Sequence, residues 1–508
     1  MLDVDPIATP AFVPERRSQI PQLVKAAFGL LSDRVEERLL AFVDQPSRAG
    51  FLEVEQDVLR LFSIMSSHAV AGVVGLLHKD EGWVADAVAA ERTRSTRRLR
   101  HRGVRSTLVR FLGGVVLSLS TPYLSQDLRG RPGPTRGVGR RGETGSGRYP
   151  ALEALGVMRR TTPALASEVA RQSVRTASFV EAQQALAERG IDVTKETVRA
   201  ISVRVGREAL RQRDARMAAA ESGETFTEEF VGERVVISAD GGRIRVREGG
   251  ERGRKGKSRH RRFRTPWREP KLVSAYLVDK EGKKKRKAMP LYDGTLEDAD
   301  AAFRILAAEL KLRGAAKAKE LVLVADGARW IWDRADELAR FLGIDPSRIV
   351  KVADFYHAVE HLTEIADLRA GWSDVQRKKW VRRQRRRLKD GKVDDVIEEV
   401  RGFCVGRNAK KLTTELNYFV ERRELMRYAD FKARGIPLGS GGVESAIRRV
   451  VNLRLKGPSI FWRGPNAERM LHLRSYLKAG RWDELMRRVM HRSPDGEPAR
   501  AQAERRVA

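Results

Sequence analysis

Apolar residues recur at three- and four-residue intervals through much of the first half of the chain. Within residues 16–95, the segments PQLVKAAFGLLSDRVEERLLAFV and FLEVEQDVLRLFSIMSSHAVAGVVGLL keep this spacing with few helix breakers, which predicts helices. Residues 160–212 return to the same period. There SFVEAQQALAERG stops at Gly190, and Thr194 opens TKETVRAISVRVGREALR. A helix, a short turn and a helix with a polar start predict a helix-turn-helix, although plain helical hairpins share this pattern.

From residue 233 the pattern changes to that of strands. RVVISAD, RIRVRE and KLVSAYLVD are short β-branched or alternating runs, and the end of KKKRKAMPLY is a further candidate. After the helix DADAAFRILAAELKLRG, the strands ELVLVAD and RIVKVAD lie on either side of the helix ARWIWDRADELARFLG. This order predicts an α/β sheet with antiparallel and parallel parts. From His357 to Arg434 the sequence is helical and very basic, and VESAIRRVVNLRLK then predicts a further helix.

Composition narrows the class of partner. The 508 residues include 99 Lys and Arg against 67 Asp and Glu, a formal charge of +32, and a polyanion would relieve the repulsion that such a charge stores. Nucleic acid is the first candidate. An anionic membrane is the second, but we expect no membrane partner because no run approaches the roughly 18 apolar residues of a spanning helix. The N-terminus lacks a signal-peptide pattern and Cys404 is the single cysteine, so we expect a cytoplasmic location.

Two acids have matched settings at the ends of candidate strands. Asp240 in ISADGGR and Asp326 in LVADGAR both follow an apolar strand and an alanine and precede a glycine. Open α/β sheets place reacting groups at the carboxyl ends of their strands, so these acids converge if the two strands are neighbours. An isolated Asp-Gly is more often only a turn. The matched pair, together with Glu444 at a helix start behind GSGG, favours a site.

Three carboxylates suit phosphodiester chemistry. In-line displacement places charge on the entering and the leaving oxygen, and two divalent ions about 3.5–4 Å apart stabilise both. Mg²⁺ prefers hard oxygen ligands and keeps several waters, so a few carboxylates suffice to hold it. We therefore expect Asp240, Asp326 and Glu444 to hold Mg²⁺, for which Mn²⁺ can substitute. The two aspartates follow from their positions at strand ends, whereas Glu444 rests mainly on the family resemblance given next, because no physical feature distinguishes it from other acids at helix starts.

The stretch from Val235 to about Leu477 resembles the catalytic domain of DDE transposases from bacterial insertion sequences, and it is similar to the Kra-type group among them. The resemblance rests on the strand-Asp-Gly at Asp240, on V-A-D-G at Asp326, and on the pattern G-S-G-x-x-E-S-A at Gly439–Ala446. VNLRLKGPSIFWRGPNAERMLHLRS beyond it also matches. The upstream helix-turn-helix and YPALEALG segments match more loosely.

The resemblance implies metal-dependent cleavage at transposon ends, followed by attack of the freed 3′-hydroxyl on target DNA. Asp240, Asp326 and Glu444 would be the catalytic, metal-holding residues. It also implies double-stranded DNA as partner, at least a dimer on DNA, and a location in the bacterial cytoplasm with the nucleoid. Two alternatives stay open: an RNase H-like nuclease without strand transfer, and a non-catalytic DNA-binding protein derived from a transposase.

Transposases with an inserted helical domain often carry a Cys- or Asp-x-x-His signature, and VADFYHAVEHL supplies Asp354 and His357 at that spacing. The resemblance makes His357 a candidate catalytic residue that touches the scissile phosphate or orients a ligand. A neutral imidazole accepts a proton, and an imidazolium stabilises phosphate charge. The alternative is a helix-capping Asp beside a half-buried His. His361, one turn later, is either a partner of His357 or a surface residue.

Relatives in this family often have a cysteine-bearing zinc element before the YP-x-L segment. This chain has TPYLSQDLRGRPGPTRG there, without a cysteine, so we predict no zinc. The run from Leu128 to Tyr149 is rich in Gly and Arg and has almost no apolar residue. It predicts an extended connector, which is either a solvated linker or an arm that follows DNA.

Eight basic and aromatic residues are predicted to contact DNA. Two would lie near the start of the recognition helix of the helix-turn-helix. Three belong to GERGRKGKSRHRRFRTPWREPK, a loop beside the acids whose arginines would hold phosphates and whose tryptophan would stack on a base. Such a charge run is otherwise a solvated face, and core packing is the more usual role for Trp462. The eight residues are Lys195, Arg199, Arg261, Arg262, Trp267, Arg448, Arg449 and Trp462.

Together these patterns predict an α+β multidomain protein. A helical N-terminal part with a helix-turn-helix precedes an RNase H-like mixed α/β catalytic core, which an all-helical insertion interrupts. The predicted boundaries are 1–100 for the helical N-terminal region, 101–155 for the basic connector, 156–215 for the helix-turn-helix, 232–360 for the first part of the core, 361–434 for the basic insertion, 435–480 for the closing helices of the core and 481–508 for the tail.

Overall fold

The computed structural model describes residues 18–95, 98–126, 147–249, 263–326 and 329–490. The chain divides into two compact units: residues 1–205 with 486–508 form the first, and residues 206–485 form the second. Several predictions lie outside the described residues. They are nearly all of the connector from Leu128 to Tyr149, the DNA contacts of Arg261 and Arg262, and most of the tail at 481–508.

Three helices open the first unit, where the apolar period predicts them. They are α1 (Gln19–Asp44), α2 (Arg48–His78) and α3 (Glu81–Arg94). Polar side chains cap two of these helices. Ser47 Oγ accepts a hydrogen bond of 2.9 Å from the backbone of Gly50, and Asp80 Oδ1 accepts one of 2.9 Å from the backbone of Trp83.

Helix α2 is the one helix in the described part of the chain that is long and apolar enough to cross a membrane. The expectation that no run approaches this length was wrong, because Gly, Ala and Ser link its apolar residues without bringing in charges. Only 11% of its apolar window is buried within the protein, so α2 is not a core helix. One such helix is weak evidence for a membrane, since some helices of soluble proteins are equally long and apolar.

A β-hairpin follows where the sequence predicts part of the 101–155 connector. β1 (Leu99–Arg110) and β2 (Val116–Gln126) pair antiparallel. Val109 and Leu119 belong to a small buried cluster under this hairpin. The alternation in VLSLSTPYLSQ was the available signal, but the many arginines of β1 conceal the apolar face.

Four helices complete the helical part of the first unit and lead into the second. They are α4 (Pro150–Ala154), α5 (Pro163–Arg175), α6 (Phe179–Ala187) and α7 (Lys195–Glu221). The turn between α6 and α7 passes through Gly190 at φ 73°, a left-handed conformation that glycine adopts without strain. Ser202 Oγ donates a hydrogen bond of 2.8 Å to Ser173 Oγ and so joins α7 to α5. The order of helix, turn and helix is present, and its binding of DNA stays a prediction.

Five strands form the main sheet of the second unit. They are β3 (Arg234–Gly241), β7 (Lys271–Val278), β8 (Leu291–Thr295), β9 (Glu320–Ala325) and β10 (Ile349–Ala353). Their order in the sheet is β10-β9-β3-β7-β8. β3, β9 and β10 run parallel, whereas β7 and β8 are antiparallel to their neighbours. The second unit is therefore a mixed α/β structure with the two kinds of strand pairing that the sequence predicts.

Apolar side chains cover both faces of this sheet. One face, with Ile237 of β3, packs in a buried cluster with the helices that surround β9, which are α8 (Ala299–Leu312), α9 (Arg329–Trp332) and α10 (Ala335–Leu342). The other face, with Val236, packs against helices that follow β10. Parallel strands buried on both faces read as continuous apolar runs, which explains why the strands before the acids do not alternate.

Five helices lie between β10 and the return of the chain to the sheet. They are α11 (Phe355–Asp367), α12 (Asp374–Lys389), α13 (Val393–Arg401), α14 (Ala409–Glu421) and α15 (Tyr428–Ala433). Their buried residues extend the cluster on the second face of the sheet, so this basic insertion has an apolar core. Glu399 accepts hydrogen bonds of 2.6 Å from the Trp380 indole and 3.0 Å from the Gln384 amide, which join α13 to α12.

The remaining elements belong to the second unit, except that the last helix continues from it into residues of the first. They are α16 (Gly441–Ile447), a π-helical segment (Arg448–Asn452), α17 (Leu453–Leu455), α18 (Gly464–Ala479) and α19 (Trp482–Met490), with short 3₁₀ turns elsewhere at Ala315–Lys317, Pro346–Arg348, Gly406–Asn408 and Arg423–Leu425. A smaller sheet follows β3. In it β4 (Ile244–Gly249) pairs with β5 (Phe263–Arg264), β6 (Trp267–Arg268) and β11 (Trp462–Arg463).

A buried ion network stabilises the second unit around the end of α8. The Arg313 side chain is 3% exposed and pairs with Glu309 at 3.2 Å, with Glu484 at 2.8 Å and with Glu229. Burial alone would lower the pKa of Arg313, but the carboxylates of Glu309, Glu484 and Glu229 outweigh it and raise the pKa. Such a network holds only while both signs of charge are present.

Arg313→Ala is expected to lower the free energy of unfolding of the second unit by about 3–5 kcal/mol, because it leaves buried carboxylates without their cation. Arg304→Ala is the control at an exposed arginine of α8 that pairs with Glu221, and it should change stability by less than about 0.5 kcal/mol. Urea unfolding followed by tryptophan fluorescence reports on this unit, since Trp83 alone of the eight tryptophans lies outside residues 206–485. Equal midpoints for the two variants would contradict the prediction.

Candidate active site

Three acids end three neighbouring parallel strands at one edge of the main sheet. Asp240 lies near the end of β3, Asp326 directly follows β9, and Asp354 directly follows β10. The register pairs Ile237 with Leu323, so Asp240 and Asp326, each three residues further on, are level with one another. The register between β9 and β10 likewise sets Asp354 beside Asp326. The structure thus brings the two acids of the matched motifs together and adds a third.

Asp240 is partly buried among like charges. Burial, together with the smaller effect of the negative charges of Asp326, Glu444 and Glu269, raises the pKa of Asp240 to about 6. A hydrogen bond of 2.6 Å from the backbone of Gly241 to Asp240 Oδ1 opposes it. Glu444 is therefore within electrostatic range of the first strand acid, although the two are far apart in sequence.

Glu444 lies in the first turn of α16, and this helix packs against β3 and β7. Glycine permits the close approach, since a Cβ on Gly442 would lie 3.1 Å from the Tyr276 ring of β7. Gly442 of GSGG thus permits the close packing of this helix against the sheet. The Glu444 side chain is exposed, and its Oε1 lies 3.2 Å from Ser440 Oγ.

Asp354 is fully buried, and its carboxylate binds two separate segments of backbone. Oδ1 accepts hydrogen bonds from the backbone of Tyr356 at 2.6 Å and of His357 at 3.1 Å, which caps α11. Oδ2 accepts hydrogen bonds from the backbone of Ser440 at 2.5 Å and from its hydroxyl. Asp354 thereby fixes the start of α11 and the segment before Glu444 at one point. The helix-capping interpretation of the D-x-x-H spacing describes this acid.

His357 is partly exposed in the first turn of α11. Its Nδ1 is 3.0 Å from Glu360 Oε2, and its ring contacts those of His361 and Tyr418 edge-on, at centroid distances of 4.7 and 5.7 Å. His361 stacks on the Tyr418 ring at 3.7 Å, and Tyr418 Oη donates a hydrogen bond of 3.4 Å to the Asp326 carbonyl. His357 thus belongs to an aromatic cluster that reaches the Asp326 end of the site. Its contact with a phosphate stays a prediction.

Carboxylate oxygens are the donors of this site, and they are the ligands that Mg²⁺ and Mn²⁺ prefer. In the part of the chain that the structure describes, no three His, Cys, Asp or Glu side chains are close enough to enclose a metal ion. The acids thus share one edge of the sheet without forming a closed cage. Mg²⁺ keeps several of its waters and does not need such a cage. The donor chemistry and the like charges around Asp240 suit a divalent cation, and the binding of Mg²⁺ or Mn²⁺ stays a prediction.

The described DNA-contact candidates have different surroundings. Lys195 and Arg199 are exposed in the first turns of α7. Trp267 on β6 is 46% exposed. Trp462 on β11 is partly buried, and the Arg454 guanidinium lies 4.9 Å from its ring centroid. Core packing therefore describes Trp462 better than an open stacking surface does.

The two arginines that follow Glu444 also differ. Arg448 is exposed, so a phosphate can reach it. Arg449 donates hydrogen bonds of 3.0 Å to Tyr292 Oη and 3.2 Å to the Ser445 carbonyl, so its guanidinium holds the π-helical segment against β8. A role of Arg449 in DNA binding stays a prediction. Two residues of the site were not predicted from the sequence. Tyr418 belongs to no motif with a defined chemistry, and Ser440 lies within the G-S-G-x-x-E-S-A pattern, where no role was assigned to it.

No protein-family model and no curated protein sequence matches the chain. Among solved structures, the chain is similar to one described as "Drosophila P element transposase strand transfer complex". The alignment covers 67% of this chain and 84% of that chain, with 13% identity and a TM-score of 0.23. A likeness at that score carries no argument about fold or function, so the proposals below rest on the residues themselves.

The raised pKa of Asp240 makes a prediction about stability. The pKa is about 6 in the folded protein and near 3.8 in an unfolded chain. Above pH 6 the Asp240 carboxylate is charged in both states, and its charge lowers the free energy of unfolding because the folded state disfavours it. This effect decreases as the pH falls through 6 and is lost below about 3.8. Asp240→Asn is therefore expected to raise the free energy of unfolding by about 1–2 kcal/mol at pH 7.5 without metal, and by little at pH 4.

Thermal unfolding at both pH values, with and without Mg²⁺, measures this effect. Mg²⁺ should raise the melting temperature of the unmodified protein more than that of Asp240→Asn, because only the former has the full set of carboxylates. Glu337→Gln, at an exposed acid of α10, is the control and should behave as the unmodified protein. If Asp240→Asn were less stable than the unmodified protein at pH 7.5, the conclusion that like charges destabilise the ionised Asp240 would be wrong.

Ser440→Ala tests the contact with Asp354, because it removes the hydroxyl donor and keeps the backbone donor. Loss of one hydrogen bond to a buried carboxylate is expected to lower the free energy of unfolding by about 1–3 kcal/mol. Ser445→Ala, at an exposed serine within α16, the helix that Ser440 precedes, should change it by less than about 0.5 kcal/mol. Urea unfolding compares the two variants, and equal stabilities would show that Asp354 does not need the hydroxyl.

Proposed function

We propose that the chain is a DDE-type DNA transposase that cuts DNA at transposon ends and joins the freed 3′-hydroxyl to target DNA. The observation that carries the proposal is the level placement of Asp240 and Asp326 on adjacent parallel strands, with Glu444 in electrostatic range of Asp240. The arrangement of a mixed sheet interrupted by helices α11 to α15 supports it, since the sequence resemblance implies an RNase H-like core with a helical insertion.

Asp240, Asp326 and Glu444 would hold Mg²⁺ or Mn²⁺, which supplies stabilisation of charge on the entering and leaving oxygens. The Asp240 carboxylate must be ionised to act as a ligand, and a pKa of about 6 leaves most of it ionised at pH 7.5. Glu444 approaches from a helix rather than from a strand, so it can face a substrate that lies along the sheet edge. Asp354 and Ser440 act as positioning residues that hold the start of this helix.

The surface charge supports DNA as the partner. A formal charge of +32 favours a polyanion, and the phosphates of double-stranded DNA supply it. We also propose that the protein acts as at least a dimer on DNA, because two ends must be brought together, and that it works in the bacterial cytoplasm. His357, on the Asp354 side of the site, is a candidate to contact the scissile phosphate.

The catalytic assignment predicts three inactive variants. Asp240→Asn, Asp326→Asn and Glu444→Gln should each slow metal-dependent cleavage by at least about a hundredfold, while binding to end DNA stays measurable. The substrate is labelled DNA taken from the inverted repeats that flank the reading frame, incubated with supercoiled plasmid and Mg²⁺. Glu337→Gln is the matched control and should cleave at the normal rate.

The products separate the possible activities. Labelled ends joined to plasmid support a transposase, whereas cleavage without joining indicates a nuclease that lacks strand transfer. Binding of the ends without any metal-dependent cleavage indicates a non-catalytic DNA-binding protein. If Glu444→Gln cleaved as fast as the unmodified protein, the assignment of the third carboxylate would be wrong.

A further inference from the structure

Four residues beyond Asp240, the chain enters β4, whose side chains alternate between two faces of the smaller sheet. Ile244 and Val246 are buried, at 1% and 7% exposure, whereas Arg245 is exposed and Arg247 partly exposed. Residues of a strand point alternately to opposite faces. The sheet thus has an inner apolar face and an outer face that begins close to the candidate active site.

Three aromatic residues lie on the outer face together with these arginines. Trp267 is paired directly with Arg245, and Phe263 is paired with Gly249, so both rings lie on the side of Arg245. In the parallel pair of β11 with β4, Trp462 is paired with the buried Val246. Phe461, the residue before Trp462, therefore lies on the outer side.

The rings are open to solvent and contact the arginines. Trp267, Phe461 and Phe263 are 46%, 40% and 38% exposed, which is more than packing requires of large aromatic side chains. The Arg247 guanidinium lies 3.9 Å from the Phe263 centroid, and the Phe263 and Phe461 centroids are 5.1 Å apart. The Arg245 guanidinium lies 5.0 Å from the Trp267 centroid. Rings and cations therefore form two contacting groups on the same face of the sheet, one around Trp267 and one around Phe263.

The charge of this sheet suits a polyanion. Its four short strands contain a single acid, Glu248, which pairs with Arg268. The same strands contain five arginines, at positions 245, 247, 264, 268 and 463. Aromatic rings interleaved with arginines are the combination by which proteins hold single-stranded nucleic acid, because the rings stack on bases and the cations contact phosphates.

We propose that this surface, formed by Arg245, Arg247, Phe263, Trp267 and Phe461 and here termed the aromatic face, binds single-stranded DNA. Bases of a duplex are stacked on each other and present only their edges, so an exposed ring can stack only on an unpaired base. The link to catalysis rests on the proposed function: staggered cutting of the two strands leaves unpaired nucleotides at the new end, and β4, which carries the two arginines, begins four residues after Asp240.

Binding of the full-length protein to a labelled oligo-dT strand of about 12 nucleotides, measured by fluorescence anisotropy without metal, tests the proposal. Trp267→Leu keeps an apolar side chain but removes the flat ring, and it should weaken binding by about tenfold. Trp267→Phe keeps a ring and should lose less than about threefold. Phe51→Leu, at a phenylalanine of α2 that is 53% exposed, is the matched control and should bind normally.

Salt dependence separates the two kinds of contact. Arg245→Ala and Arg247→Ala should each reduce the slope of log affinity against log salt by about 0.7, because each removes one phosphate contact to a single strand. Trp267→Leu should weaken binding without changing that slope. Arg304→Ala, at an exposed arginine outside the small sheet, should change neither quantity.

The outcomes are distinct from those of the cleavage assay. Oligo-dT binding by Trp267→Leu at the strength of the unmodified protein, or an equal loss of affinity for a duplex of the same length, would overturn the proposal. Asp240→Asn should bind oligo-dT normally, so the aromatic face is tested even in a protein that does not cut. If the protein proved not to be a transposase, Trp267→Leu should still bind oligo-dT more weakly than Trp267→Phe.

Discussion

The concentration of carboxylates at one edge of a sheet is the constraint on which the second unit depends. β3, β9 and β10 end level with one another, so Asp240, Asp326 and Asp354 would repel each other if all three had the same surroundings. Their surroundings differ. Asp354 is buried and accepts two hydrogen bonds from α11 and two from Ser440, whereas Asp240 is less buried and its pKa rises to about 6. Asp354 is thus used for structure, whereas the surroundings of Asp240 disfavour its charged form.

The main sheet and its two matched acids follow from the sequence because local information suffices for them. Strands buried on both faces are unbroken apolar runs, and each run before Asp240 and Asp326 ends in Ala-Asp. Asp354 was recognised as the acid that ends the strand RIVKVAD and as part of a D-x-x-H spacing. Its second partner, Ser440, is 86 residues away, and no local pattern joins them. Glu444 likewise depends on how α16 packs on β3 and β7, which sequence periodicity does not specify.

The smaller sheet shows why the side of a sheet to which a residue points is harder to predict than the presence of a strand. β5, β6 and β11 are two residues long, so none of them has an alternation from which an inner and an outer side could be derived. Trp462 is conspicuous in FWRGP, but pairing with Val246 turns it inward, and the less conspicuous Phe461 lies outside. The β1–β2 hairpin was missed for a related reason: four arginines in β1 conceal the apolar positions on its buried side.

The helical insertion leaves the sheet and returns to it at nearly the same point. Asp354, where it begins, accepts hydrogen bonds from Ser440, where it ends, and the backbone of Phe355 donates a hydrogen bond of 2.8 Å to the Leu438 carbonyl. The entropic cost of closing such a segment grows only slowly with its length, so α11 to α15 can be long without displacing Glu444. The same hydrogen bonds connect the start of the insertion to the segment that precedes α16. A shift of the start of α11 relative to the sheet would act on Ser440, and through it on the helix that presents Glu444 to the strand acids.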